Sequence, residues 1–252
     1  MHQNILAYLN TLVLAPLLTA PSMSINNLSV TEGNSGTSSA DFTVSLSSSY
    51  CKNVTVNYAT ADSSAVAGSD YLMAPSTPLT FSAGETSKVV SVPINGDVQV
   101  EPNKTFFVNL SAAVSATISD GQGVGTINND DTAGASVSPI SSNTTEAGGT
   151  ATFSVVLNSQ PSADVNIFLS SSNITEGTIN PISLRFTASN WNTPQTLIVT
   201  GQADDENDGN VTYSILTTVS SSDSNYSAIN PADVSLTNVR VVFQLYLPMI
   251  FR

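Results

Sequence analysis

The 252-residue chain has one cysteine, Cys51, and one histidine, His2. A single cysteine excludes an intrachain disulfide, and Cys51 reads as a small filler near a strand start. A lone histidine beside the amino terminus leaves no Ser-His-Asp arrangement, and it leaves zinc and copper without their usual nitrogen and sulfur donors. Basic residues are scarce, with 6 Lys+Arg against 19 Asp+Glu and a formal net charge of −13. So acidic a chain repels phosphate backbones, which excludes nucleic acid as a partner. Long runs of alanine, leucine, glutamate and lysine are missing, which disfavours helix. Between its two ends the chain has no apolar run long enough to span a membrane.

The ends are apolar. MHQNILAYLNTLVLAPLLTA, residues 1–20, lacks a basic n-region and reads either as a signal peptide ending near Ala20 or as a packed or assembly segment. The tail VVFQLYLPMIF is too short to cross a bilayer and is interrupted by Pro248.

What the chain has in quantity is serine, threonine, asparagine and valine in period-two alternation, the pattern of strands joined by polar turns. It also repeats. SVTEGNSGTSSADFTVSLSSSYCKNVTVNYAT, from Ser29, is answered by TTEAGGTATFSVVLNSQPSADVNIFLSS, from Thr144. Phe42 falls on Phe153, Leu46 on Leu157, Val54 on Val165 and Val56 on Ile167. Later, VVSVPINGDVQVEPNKTFFV matches LIVTGQADDENDGNVTYSIL, pairing Asp97 with Asp204, Glu101 with Asp208 and Phe106 with Tyr213. The turn-rich stretch NNDDTAGAS separates the copies. The spacing predicts an apolar segment over 1–23, one domain over 24–131, a second over 132–240 and an apolar tail over 241–252.

In the first copy, strands are predicted over 24–31, 41–46, 54–60, 78–82, 86–94, 104–110 and 123–128, with SAGE (82–85) as a tight hairpin. Strands with one apolar face each need a second sheet to bury it. The predicted fold is all-β: two tandem antiparallel β-sandwiches. Phe42, Leu46, Val54, Val56, Phe81, Val92, Ile94, Phe106, Val108 and Ile127 are the predicted core of the first, with Phe107 outward or at a corner.

Tracing those strands up and down brings Glu32, Asp62, Asp97, Glu101, Asp130 and Asp131 to one pole. A hard cation takes several oxygen ligands from irregular loops, and Ca²⁺ tolerates their uneven geometry better than Mg²⁺. The predicted cofactor is therefore Ca²⁺, held by these six residues. Asp70 in AGSDY reads as a turn cap, and Tyr71 as a packed ring with its hydroxyl at the rim.

VTEG (30–33), VNYAT (56–60), AGSDY (67–71), LTFSAGET (79–86) and GTINNDD (125–131) together resemble the Calx-beta repeat, more loosely matched over 136–239. The resemblance implies immunoglobulin-like sandwiches, some of which bind calcium at one end. It places the family's acidic ligands on the same six residues. Many members carry a further acid where this chain has Lys104, so a lysine there stands in for part of an ion's charge. In the second copy Glu146, Asp204, Asp205 and Asp208 keep a partial, weaker cluster. Asn173 stands at the place of Asp62, with Glu176 near it, and the closing strand ends in Arg240 without terminal acids.

Three functions follow. The leading one is a calcium-stiffened structural or adhesive module of an extracellular or cell-surface protein, a filament subunit included, with other extracellular proteins or copies of itself as partners. The second is a carbohydrate- or protein-binding module, although Trp191, the one tryptophan, reads as a packing residue. The third, a hydrolase using Asp97 and Glu101 as acid and base, needs one carboxyl raised by apolar burial, and the Gly-Asn-Pro surroundings are wet. The chain is read as no enzyme. Sequons begin at Asn27, Asn53, Asn103, Asn109, Asn143, Asn173, Asn210 and Asn225, and bear glycans only in a host that glycosylates secreted proteins.

Overall fold

The computed structural model describes residues 19–204 and 208–241. They form two compact units, residues 19–97 with 102–130 and residues 98–101 with 131–241, and both are all-β.

In the first unit the strands are β1 (Ser22–Ile25), β2 (Leu28–Thr31), β3 (Thr37–Leu46), β4 (Val54–Asp62) and β5 (Thr77–Phe81). They are followed by β6 (Ser87–Asn95), β7 (Lys104–Val114), β8 (Thr117–Asp120) and β9 (Gln122–Asn128). One sheet has the order β6-β3-β1-β8 and the other β2-β9-β7-β4-β5. Pairing is antiparallel except for β1–β8 and β2–β9, which are parallel. The alternation expected from the sequence fills the space between the sheets, and every predicted core residue is buried. Phe42 and Phe106 meet edge to face across that core, with ring centroids 5.8 Å apart, a favoured aromatic geometry. Phe107 is half-buried, as alternation with Phe106 requires.

Three local expectations are corrected. Residues 24–31 are not one strand, because the chain leaves one sheet and joins the other at Asn26 and Asn27. Their side-chain amides replace the lost ladder: Thr43 N donates to Asn26 Oδ1 at 2.6 Å and Val124 N to Asn27 Oδ1 at 2.7 Å. SAGE is a turn but not a hairpin, since β5 and β6 lie in opposite sheets. Phe81 and Val90 must both point inward, and crossing between layers satisfies both. Cys51 is exposed in the turn before β4 rather than filling space. The sequence reading also passed over β8, whose residues are all exposed and so carry no apolar alternation.

The second unit comprises β10 (Ala135–Val137), β11 (Thr144–Thr145), β12 (Thr150–Leu157), β13 (Val165–Ser171) and β14 (Gly177–Asn180). It continues through β15 (Ser183–Phe186), β16 (Gln195–Gly201), β17 (Val211–Ser221) and β18 (Val234–Val239). The sheet orders are β10-β12-β16-β14 and β11-β18-β17-β13-β15, with β11–β18 parallel. Strand for strand, the five-stranded sheet repeats that of the first unit. Phe153, Leu157, Val165, Ile167, Tyr213 and Ile215, the residues matched in the sequence, are core, and Trp191 packs partly buried against it. Both units are immunoglobulin-like β-sandwiches.

Candidate metal centre

Parallel pairing of β2 and β9 brings both strand ends to one pole. Thr31 stands opposite Asn128, and Glu32 N donates to Asn128 O at 3.2 Å. Glu32 therefore emerges beside the segment carrying Asp130 and Asp131, and Gly33 N donates to Asp130 Oδ1 at 3.2 Å. Beyond β6, Gly96 closes in on the same turn, its N donating to Gly36 O at 3.0 Å. A Cβ at residue 96 would sit 2.9 Å from the Glu32 carbonyl oxygen and closer still to that of Gly33. Only glycine permits this approach, and it carries Asp97 to Glu32.

Glu32, Asp97 and Glu101 each offer a carboxylate oxygen within 4.8 Å of the others, and so do Glu32, Asp130 and Asp131. Glu32 belongs to both groups and is 5% exposed; Asp131 is buried, Asp97 and Glu101 are half-buried, and Asp130 is exposed. The donors are all carboxylate oxygens without nitrogen or sulfur, which is the set a hard divalent cation takes.

Asp62 belongs to neither group. Its Oδ1 accepts from Tyr71 OH at 2.6 Å and from Ala67 N at 2.9 Å, and these bonds hold its carboxyl below the usual aspartate range. Tyr71 stacks on Phe106, with centroids 4.7 Å apart. Burial, then the bond to Asp62, pushes its phenol up to about 12. Asp70 caps the turn, accepting from Val66 N at 2.7 Å, and its other oxygen meets Lys104 Nζ at 2.7 Å. The lysine at the variant family position thus pairs with the buried acid of AGSDY.

In the second unit Glu146, Asp204 and Asp208 bring carboxylate oxygens within 4.8 Å of one another. This trio matches Glu32, Asp97 and Glu101 residue by residue in the sequence repeat. Glu146 N donates to Val239 O at 3.1 Å, as Glu32 does to Asn128. Asp205 lies outside the described residues. Glu176, at 4% exposure, occupies the place of Asp70: Gln202 N donates to its carbonyl just as Asn95 N does to that of Asp70. Where Asp70 meets a lysine, Glu176 meets an amide among the described residues: Asn238 Nδ2 donates to its Oε2 at 3.1 Å. Burial first, then repulsion from Asp208, Asp204 and Glu146, pushes its carboxyl up. Asn238 is fully buried, and its Oδ1 has no hydrogen-bond partner among the described residues. Sequence reasoning missed Asn238. The available signal was a polar residue at an inward position of VSLTNV, after Val234 and Leu236.

The fold and the two acid poles define a pair of immunoglobulin-like sandwiches of the type that gathers carboxylates on its end loops. Residues 21–132 match the family model of the Calx-beta domain. Solved structures with similar coordinates include the calcium binding domain CBD12 of CALX1.1, at 19% identity over 77% of this chain and 78% of that chain, with a TM-score of 0.46. The apo-form Calx CBD1 domain is 19% identical over 44% of this chain and 98% of that chain, with a TM-score of 0.40. No curated protein matches the chain. Among the described residues no helix is long and apolar enough to cross a membrane.

Proposed function

We propose that the chain is a structural or adhesive module of an extracellular or cell-surface protein, built of domains 24–131 and 132–240 and stiffened by Ca²⁺ at the acid pole of the first. The supporting observation is Glu32, a buried carboxylate shared by two groups of acids. Several carboxylates so close repel one another, and a bound cation offsets that repulsion while tying their loops together. Glu32, Asp97, Glu101, Asp130 and Asp131 are the ligands, and Asp62 supports the neighbouring loop through Tyr71. Glu146, Asp204 and Asp208 form the weaker second site, with Asp205 its sequence-assigned fourth member. Loop sites of this kind suit the calcium levels met outside cells. Binding to the folded form alone raises its apparent stability. Partners are other surface proteins or copies of this chain. A protein-binding role is the second reading, favoured by the exposed apolar side chains Leu72 and Met73 of the first domain and Ile174 and Ile182 of the second.

The test is calorimetric Ca²⁺ titration with parallel thermal melts in low salt, on the wild type and Glu101→Gln. Ca²⁺ is expected to release or absorb heat and raise the melting temperature, with Mg²⁺ doing so less. Glu101→Gln should lose most of the effect while keeping the fold. No heat and no thermal shift at about 1 mM Ca²⁺ would leave the acids as a solvated surface of a structural sandwich.

A further inference from the structure

We propose that Asn238 Oδ1 is an uncharged ligand of the second domain's Ca²⁺ site, joining Glu146, Asp204 and Asp208, and that Glu176 is the positioning residue that aims it. This deepens the reading of that trio as a cation site and rests on it.

The two domains differ at three matched positions just inside the acid pole. Extending the repeat pairing of Asp97 with Asp204 sets Ile94 against Gly201 and Lys104 against Val211. Lys104 faces Ile127 across its ladder and Val211 faces Asn238, so Ile127 matches Asn238. In the first domain Ile94 and Ile127 are buried core, and the ammonium of Lys104 meets Asp70. In the second domain a glycine and an amide replace the two isoleucines, and a valine replaces the lysine. The buried acid is kept, as Glu176, while the lysine beside it is not. An amide donates to that acid but carries no charge to offset it.

The amide has one orientation. Both hydrogens of Asn238 Nδ2 are used, on Glu176 Oε2 at 3.1 Å and on Gln202 O at 2.9 Å. Exchanging its oxygen and nitrogen would set Oδ1 against those two acceptors. Oδ1 therefore faces the other way, into the cradle at Gly201: a Cβ there would lie 2.6 Å from Oδ1 and closer still to Thr145 O. Asn238 is fully buried, and its Oδ1 has no hydrogen-bond partner among the described residues. Such an oxygen is costly to bury, and an isoleucine, as in the first domain, avoids the cost. Thr145 precedes Glu146, and Gly201 leads through Gln202 to Asp204, so the cradle lies where the segments carrying the trio converge. Glu176 feels that trio. Burial raises its carboxyl, the bond from Asn238 draws it back, and the charges of Asp208, Asp204 and Glu146 raise it further. Carboxylates with one amide oxygen are a donor set Ca²⁺ takes, and the ion supplies the positive charge that Lys104 supplies in the first domain.

The experiment adds Ca²⁺ to the ¹⁵N-labelled full chain and follows the Asn238 side-chain amide, with the backbone amides of Asp204 in the second domain and Gly33 in the first. The Asn238 and Asp204 signals should shift together, with one midpoint. Asn238→Leu should raise the Asp204 midpoint about 10–100-fold and leave that of Gly33 where it was. Glu176→Gln with Asn238→Asp exchanges amide and acid and keeps an oxygen aimed at the cradle, so it should bind Ca²⁺ at least as tightly as the wild type. An amide of structural use only would not be rescued by that exchange. A still Asn238 side chain beside a responding Asp204 would overturn the proposal, since Oδ1 would then hold a buried water. So would an unmoved Asp204 midpoint in Asn238→Leu. A response at Gly33 alone would overturn it and leave the first domain's site standing, whereas silence in both domains would remove the calcium reading as well.

Discussion

Nζ of Lys104 lies 2.7 Å from Oδ1 of Asp70, and the side chains are 19% and 6% exposed. The pair sits beside an acid-rich pole and answers a buried charge within the chain. Lys104→Met removes one partner and leaves the other buried, an arrangement that costs about 3–5 kcal/mol. Urea unfolding in chelator should show this loss. Lys104→Glu should lower the calcium-free stability further and increase calcium uptake measured by calorimetry.

Gly96 allows β6 to deliver Asp97 against the Glu32 turn, where a Cβ has no room. Gly96→Ala should cost about 2–4 kcal/mol by forcing backbone apart. It should also weaken the calcium heat, because Asp97 moves away from Glu32. A control, Gly84→Ala, sits at φ +90 with nothing within 4 Å of the new Cβ, so it strains only its own turn and should leave calcium binding unchanged.

Tyr71 and Asp62 make the pole pH-dependent. The folded carboxyl of Asp62 lies below its unfolded value of 3.8, through the bonds from Tyr71 and Ala67. The folded state therefore binds that proton less readily. The stabilising contribution is complete above the unfolded value and is lost as pH falls through the folded one. Tyr71→Phe should move the Asp62 titration, followed by carboxyl-carbon NMR, up toward the ordinary range. It should also flatten the acid limb of the stability profile.

Glu176 works in the opposite sense. Its folded carboxyl is raised above 4.5 by burial, and then by its acidic neighbours. Between 4.5 and the folded value the native state holds more protons, so stability falls as pH rises through that window. Glu176→Gln keeps the shape and the contact with Asn238 but removes the charge. In chelator it should raise the melting temperature at neutral pH and leave it nearly unchanged near pH 4. An unchanged melting temperature at both pH values would mean the carboxyl ionises without cost.

Much of this was readable beforehand, for identifiable reasons. Period-two placement of Phe42, Leu46, Phe106 and Val108 is a local property of a strand, and only one side of each strand can be dry. The repeat pairing of Asp97 with Asp204 and Glu101 with Asp208 anticipated two equivalent acid trios, because the same turns were copied with the same strands. Asp62, by contrast, reads like any other acid at a strand end. Its diversion to Tyr71 depends on how far the 63–70 loop folds back, and no spacing rule measures that.

What the sequence determined by itself is the strand content, the inward faces and the recurrence of acids at strand ends, all of which depend on neighbours a few residues away. Tertiary structure alone decided which strands share a sheet. β5 and β6 are adjacent in the chain yet lie in opposite layers, whereas β2 and β9 are far apart in the chain yet parallel and paired. That long-range parallel pairing sets Glu32 beside Asp130 and Asp131. It arises because two sheets must close over one core, a constraint that acts on the whole domain at once.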